Sequence, residues 1–135
     1  MLFRSLDTAV SVVRVFPGMS EELLRGMLAI RGVRGVVLQT YGAGNAPTSA
    51  WFLDALREAI GRGVVIVNVT QCPNGVVEME LYQTGAEMER AGVVSGRDMT
   101  VEAATVKLMH LLGRGLQGDA LRAAVGSPLC GEMRG

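Results

Sequence analysis

Three short runs rich in β-branched residues, Val10 to Phe16, Gly35 to Leu38 and Val64 to Val69, each give way to a turn and then to apolar residues at helical spacing. That alternation restricts the chain to α/β folds, because strands joined through helices run parallel and their sheets are covered on both faces. The run Val-Val-Ile-Val-Asn-Val at 64–69 is the most apolar in the chain and suits a central strand. The second run passes into a glycine turn, Tyr41-Gly42-Ala43-Gly44-Asn45-Ala46-Pro47, after which Thr48 and Ser49 can cap a helix reaching about Ile60.

The remaining elements fit the same alternation. Ser20 can cap a helix whose first turn carries Glu21 and Glu22 and whose stripe is Leu23, Leu24, Met27 and Leu28. Val76 to Tyr82 reads either as an edge strand or as an ordered loop. Thr84 to Ala91 reads as a short helix and Gly92 to Ser95 as a brief fourth strand. Val101, Ala104, Leu108, Leu111 and Leu112 then mark the clearest helix, ending at Gly113, and Asp119 to Val125 a last short one. The tail after Pro128 reads as peripheral. The predicted fold is α/β, a doubly wound Rossmann- or flavodoxin-like parallel sheet of about four strands with helices on both faces. At 135 residues this is one domain, with its core expected over about 10–113.

Composition narrows the partners. Thirteen basic and thirteen acidic residues cancel without a run of either sign, which points away from nucleic acid and from an anionic membrane surface. Cys72 and Cys130 stand far apart, with no Cys-x-x-Cys and no histidine at ligand spacing, so neither a metal site nor a disulfide framework is expected, and no other cofactor is called for. A reducing cytoplasm fits that usage, and the N-terminal residues carry no secretion signal.

In a parallel sheet the strand ends meet along one edge, here bringing Phe16 to Gly18, Gln39 to Asn45, Thr70 to Cys72 and Ser95 to Asp98 together. Gly42-Ala43-Gly44 begins like a dinucleotide fingerprint, but Pro47 stands where the third glycine belongs and no acidic residue ends the next strand. Asn45, with a donor and an acceptor, can read an amide or carboxylate ligand, or it can simply tolerate a left-handed backbone. Cys72 as a nucleophile would need a base, and the single histidine, His110, falls with Val106, Lys107 and Arg114 away from the apolar stripe. Cys72 therefore reads as a pocket wall. Asp98 and Thr100 are expected to cap the long helix, Glu102 to complement its dipole, and Lys107 to be solvated. No nucleophile, base and orienting acid come together, so no catalytic residue is assigned.

Four segments in order, Tyr41 to Pro47, Val67-Asn68-Val69-Thr70-Gln71-Cys72, Tyr82-Gln83-Thr84-Gly85 and Ala91 to Ala103, resemble the smaller, C-terminal domain of L-asparaginases. The likeness is closest to the cytoplasmic type I branch, and Val15-Phe16-Pro17-Gly18 resembles the first strand and turn of that domain. The resemblance implies hydrolysis of L-asparagine to L-aspartate and ammonia by a two-domain subunit whose catalytic threonines lie in an N-terminal domain. Their Thr-Gly-Gly-Thr and Thr-Asp-Thr signatures are absent here, so this chain by itself is expected to be inactive. Met1 falls about where the family's interdomain linker would end, which implies a fragment, an engineered domain or a catalytic half encoded separately.

The same resemblance gives the domain a supporting part in a homo-oligomer. Asn45 matches the glycine-turn asparagine that reaches the neighbouring subunit's active site. Gln39, Thr70 and Cys72 match positions that hold an effector asparagine in the bacterial branch, with Gln39 in place of an arginine. Loss of that cation removes a charge-assisted bond worth roughly 1.5–3 kcal/mol. A stand-alone small-amino-acid-binding regulatory domain is the alternative, and a scaffold used only for dimerisation a third reading.

Overall fold

Four parallel strands form one sheet in the order β1-β2-β3-β4: β1 (Val10–Arg14), β2 (Gly35–Thr40), β3 (Val65–Thr70) and β4 (Val94–Ser95). The computed structural model describes residues 6–72, 74–79 and 83–134. Between the strands run α1 (Glu21–Leu28), α2 (Ala50–Gly61) and α3 (Gln83–Ala91); α4 (Val101–Gly113) and α5 (Gly118–Val125) follow the last strand. The predicted α/β sheet with helices on both faces is thus present.

Strand order follows chain order, so right-handed crossovers carry α1, α2 and α3 to the same face. There Val13, Val15, Val36, Leu38 and Ile66 meet Leu24, Leu28, Phe52, Leu56 and Met88 in one apolar cluster. The alternate residues, Val37, Val65, Val67 and Val69, point to the other face and meet Ala104, Leu108, Leu111 and Leu112 of α4 with Leu121 and Val125 of α5. Nearly every residue of β2 and β3 is therefore buried, which explains their continuous rather than alternating hydrophobicity. A fully buried leucine such as Leu108 contributes about 1.5–3 kcal/mol.

Several boundaries differ from expectation for local reasons. β1 stops at Arg14, although Val15 N–H still donates to Gln39 O at 2.9 Å, and Phe16 is exposed. Ser20 caps α1 as predicted, accepting from Leu23 N–H at 3.1 Å. Ser49 occupies the N-cap of α2 but makes no side-chain capping bond; it and Thr48 are exposed, which leaves the N–H groups of the first turn open to solvent. Residues 76–79 form a loop, its Val77 and Met79 side chains buried, with Val77 N–H donating to Arg97 O and Glu78 N–H to Ala43 O, both at 2.8 Å. The rest of the ambiguous stretch, including Tyr82, lies outside the described residues.

Lys107 and the tail overturn two expectations together. Lys107 is buried, not solvated: its ammonium pairs with Glu132 and donates to Ser127 O at 2.7 Å. The tail is not peripheral, since Met133 is buried in the cluster beneath α4 and α5. Helical periodicity cannot reveal this, because the partner comes from a segment twenty-five positions along the chain. Burial pushes the Glu132 carboxyl up, but hydrogen bonds from Lys107 and from the backbone, including the N–H groups of Cys130 and Leu129, outweigh it and bring it down to about 2.

The depressed carboxyl fixes the sign of a pH dependence. Its stabilising contribution is complete above the unfolded value of 4.5 and disappears as pH falls through about 2. Removing one partner of a buried pair costs about 3–5 kcal/mol, so Glu132→Ala is expected to lower stability by that order at pH 7. Urea denaturation should show the gap between wild type and variant shrinking as pH falls from 4.5 towards 2.

Candidate functional site

At the carboxyl ends of β2 and β3 the buried residues turn polar. Thr40 and Asn68 are both fully buried, and Thr40 Oγ1 donates to Asn68 Oδ1 at 2.5 Å. Asn68 Nδ2 in turn donates to Gly44 O at 3.2 Å, while Thr70 Oγ1 donates to Gly42 O at 2.5 Å and accepts from Cys72 N–H at 3.0 Å. Two residues on the same side of β3 thus grip alternate carbonyls of the glycine turn. Gln71 performs a similar task for the strands: its Nε2 donates to Val15 O at 2.6 Å and Gln39 O at 3.0 Å, pinning the ends of β1 and β2.

Within the turn, Tyr41 and Asn45 bond each other through both backbone groups, at 2.8 and 2.9 Å. Gly44 has φ +104°, and a Cβ there would lie 2.8 Å from Val77 Cγ1 and 3.1 Å from Asn68 Nδ2. Only glycine fits. Asn45 is half-buried, with φ outside the left-handed region, so backbone tolerance does not account for it. Its Oδ1 accepts from Ala46 N–H at 3.0 Å, which fixes the amide and leaves Nδ2 without a partner among the described residues.

A hollow of about 250 Å³ opens beside this turn, lined by Gln39, Thr70, Cys72 and Asp98 and by the start of α4 at Thr100 to Glu102. That volume lies below the range of about 300–1,000 Å³ usual for drug-sized ligands and suits a smaller molecule. Gln39, Thr70, Cys72 and Asp98 are thus gathered together; Asn45 is not in the lining and is linked to it through Thr70 and Gly42. Thr100 caps α4, accepting from Ala103 N–H at 3.1 Å. Asp98 does not: it lies two residues outside the helix and accepts instead from Arg134 N–H at 2.8 Å.

Cys72 is exposed and reduced, and among the described residues the hollow holds neither histidine nor lysine. His110 sits near the far end of α4, about 12 Å along its axis from Glu102. Two features escaped the sequence reading. Asn68 stood in plain view as the one polar residue inside the most apolar run, and such a residue must be hydrogen-bonded when buried. Gln71 carried no comparable signal.

A family model described as the glutaminase/asparaginase C-terminal domain matches residues 9–125. The chain belongs to that family. It is 44% identical over 124 residues to L-asparaginase 1 of Escherichia coli, covering 92% of this chain and 36% of that protein. It is also 43% identical over 130 residues to the 60 kDa lysophospholipase of Homo sapiens, covering 96% of this chain and 22% of the relative. The crystal structure of L-asparaginase I from Vibrio cholerae superposes with a TM-score of 0.88 at 41% identity, covering 95% of this chain and 38% of that one. The chain thus spans 36% of the first of these relatives, 22% of the second and 38% of the solved structure.

The tight fit at Gly44 yields a prediction. Gly44→Ala combines an unfavourable φ with a clash against Val77, and is expected to cost about 1–3 kcal/mol in denaturant unfolding. Gly18, at φ +87° with open space around its Cβ position, is the control that isolates the backbone contribution.

Proposed function

We propose that this chain is the supporting, C-terminal domain of a cytoplasmic L-asparaginase, assembled with an N-terminal catalytic domain in a homo-oligomer. The reaction is hydrolysis of L-asparagine to L-aspartate and ammonia, with the nucleophilic threonine supplied by the N-terminal domain. The observation that carries this reading is the turn at Tyr41–Asn45. It is clamped by Thr70 and Asn68 so that Asn45 keeps an amide donor unengaged among the described residues, beyond the strand ends and suited to a carboxylate or amide of a substrate held by the neighbouring subunit. Among the described residues the hollow at Cys72 brings neither histidine nor lysine to the thiol, which supports placing the chemistry elsewhere.

A second reading, a regulatory domain that binds a small amino acid by itself, draws support from the hollow. Gln39, Thr70 and Cys72 line it and α4 opens onto it, presenting the positive end of the helix dipole to a carboxylate. In the asparaginase reading this is an effector position weakened by the absence of a cation at Gln39.

Three measurements separate these readings. Ammonia release from L-asparagine should be absent with this chain alone and appear when an asparaginase N-terminal domain is supplied; activity from the chain alone overturns the assignment. In the assembled enzyme Asn45→Ala should raise KM about tenfold, the loss of one hydrogen bond to a charged group. Titration calorimetry with L-asparagine and L-aspartate should give weak or no binding to the isolated chain, and Gln39→Arg should tighten binding tenfold or more. Tight binding by the unsubstituted monomer favours the regulatory reading.

A further inference from the structure

We propose that Asn68 and Thr40 are positioning residues for Asn45, acting through one peptide plane of the glycine turn. The inference rests on the reading that Asn45 contacts substrate. The carbonyl of Gly44 and the N–H of Asn45 belong to the same peptide unit, which is planar. Its carbonyl accepts from Asn68 Nδ2 at 3.2 Å, and its N–H donates to Tyr41 O at 2.9 Å. The plane is held at both poles, and the direction in which Asn45 leaves the backbone is held with it.

The Gly44 carbonyl decides which way the Asn68 amide faces, because an asparagine amide can present oxygen or nitrogen to either side and only the nitrogen can donate to Gly44 O. The Thr40 hydroxyl then donates to Asn68 Oδ1 at 2.5 Å and anchors the other end of the amide against β2, holding the nitrogen on the turn. Both side chains are fully buried in strands whose other buried residues are apolar. A valine at 40 and a leucine at 68 would suit that burial without polar groups to satisfy, so hydrogen bonding, rather than packing, is what these residue types add. The hydroxyl and the amide together aim a residue that neither of them touches.

The test uses a chimera in which this chain replaces the C-terminal third of Escherichia coli L-asparaginase 1. Thr40→Val, which preserves shape and removes the hydroxyl, should raise KM for L-asparagine about tenfold with kcat changed less than threefold, and Thr40→Ser should restore it. In the isolated chain the same Thr40→Val change should speed hydrogen exchange of the Asn45 amide about tenfold relative to the amides of Val36 to Leu38. A Thr40→Val chimera that loses thermal stability but keeps its KM overturns the proposal, because a merely structural role does just that. Asn68→Leu is the second variant, and Thr40→Val decides if it fails to fold. If Asn45→Ala raises KM while Thr40→Val does not, positioning alone fails; if Asn45→Ala leaves KM unchanged, the underlying reading of Asn45 fails.

Discussion

The in-register pairing of β2 with β3, from Gly35 opposite Val65 to Thr40 opposite Thr70, is the constraint on which the molecule depends. It stacks Val36 on Ile66 and Val37 on Val67 so that each face presents a continuous apolar surface to its own set of helices. The same register carries Thr40 to the level where its hydroxyl meets Asn68, and Thr70 to the level of Gly42. A slip of one residue would reverse every side chain and bury the polar ends under the wrong helices. Core and site are therefore set by one alignment.

Much of this was legible in the sequence because it follows from local pattern. β-branched runs, glycine punctuation and the caps at Ser20 and Thr100 each act within a few residues, and the chain placed strands and helices close to where they occur. What escaped depends on distant segments. Lys107 lies beside Val106 and His110 and looks solvated until Glu132 and Met133 return to cover it. Asp98 resembles a cap by sequence, yet it serves the backbone of Arg134. The Asn68 amide was visible as an anomaly, but its two partners sit on another strand and in another turn. Hydrogen bonds across elements leave no periodic trace.

The polar groups at the strand ends show a division of labour. Its polar groups mostly satisfy one another: Thr70 serves Gly42 and Cys72, Gln71 serves two strand ends, and Thr40 serves Asn68. A network so completely internal stiffens the backbone and leaves few groups free to react. The amide nitrogen of Asn45, unengaged among the described residues, stands out against it. Family membership places the chain among glutaminase/asparaginase C-terminal domains, while the geometry shows how a short glycine turn becomes rigid.

Sequential strand order has a consequence for assembly of the chain. Each new strand docks beside the one just made, so the sheet can lengthen in a single direction with only nearby segments meeting. The crossover helices shield one side during that growth, but the opposite side, carrying Val37, Val65, Val67 and Val69, stays bare until α4 and α5 fold back across it. A nascent molecule halted at that stage would be half a sandwich with a sticky, uncovered layer, and its escape from aggregation is set by how quickly those two helices arrive.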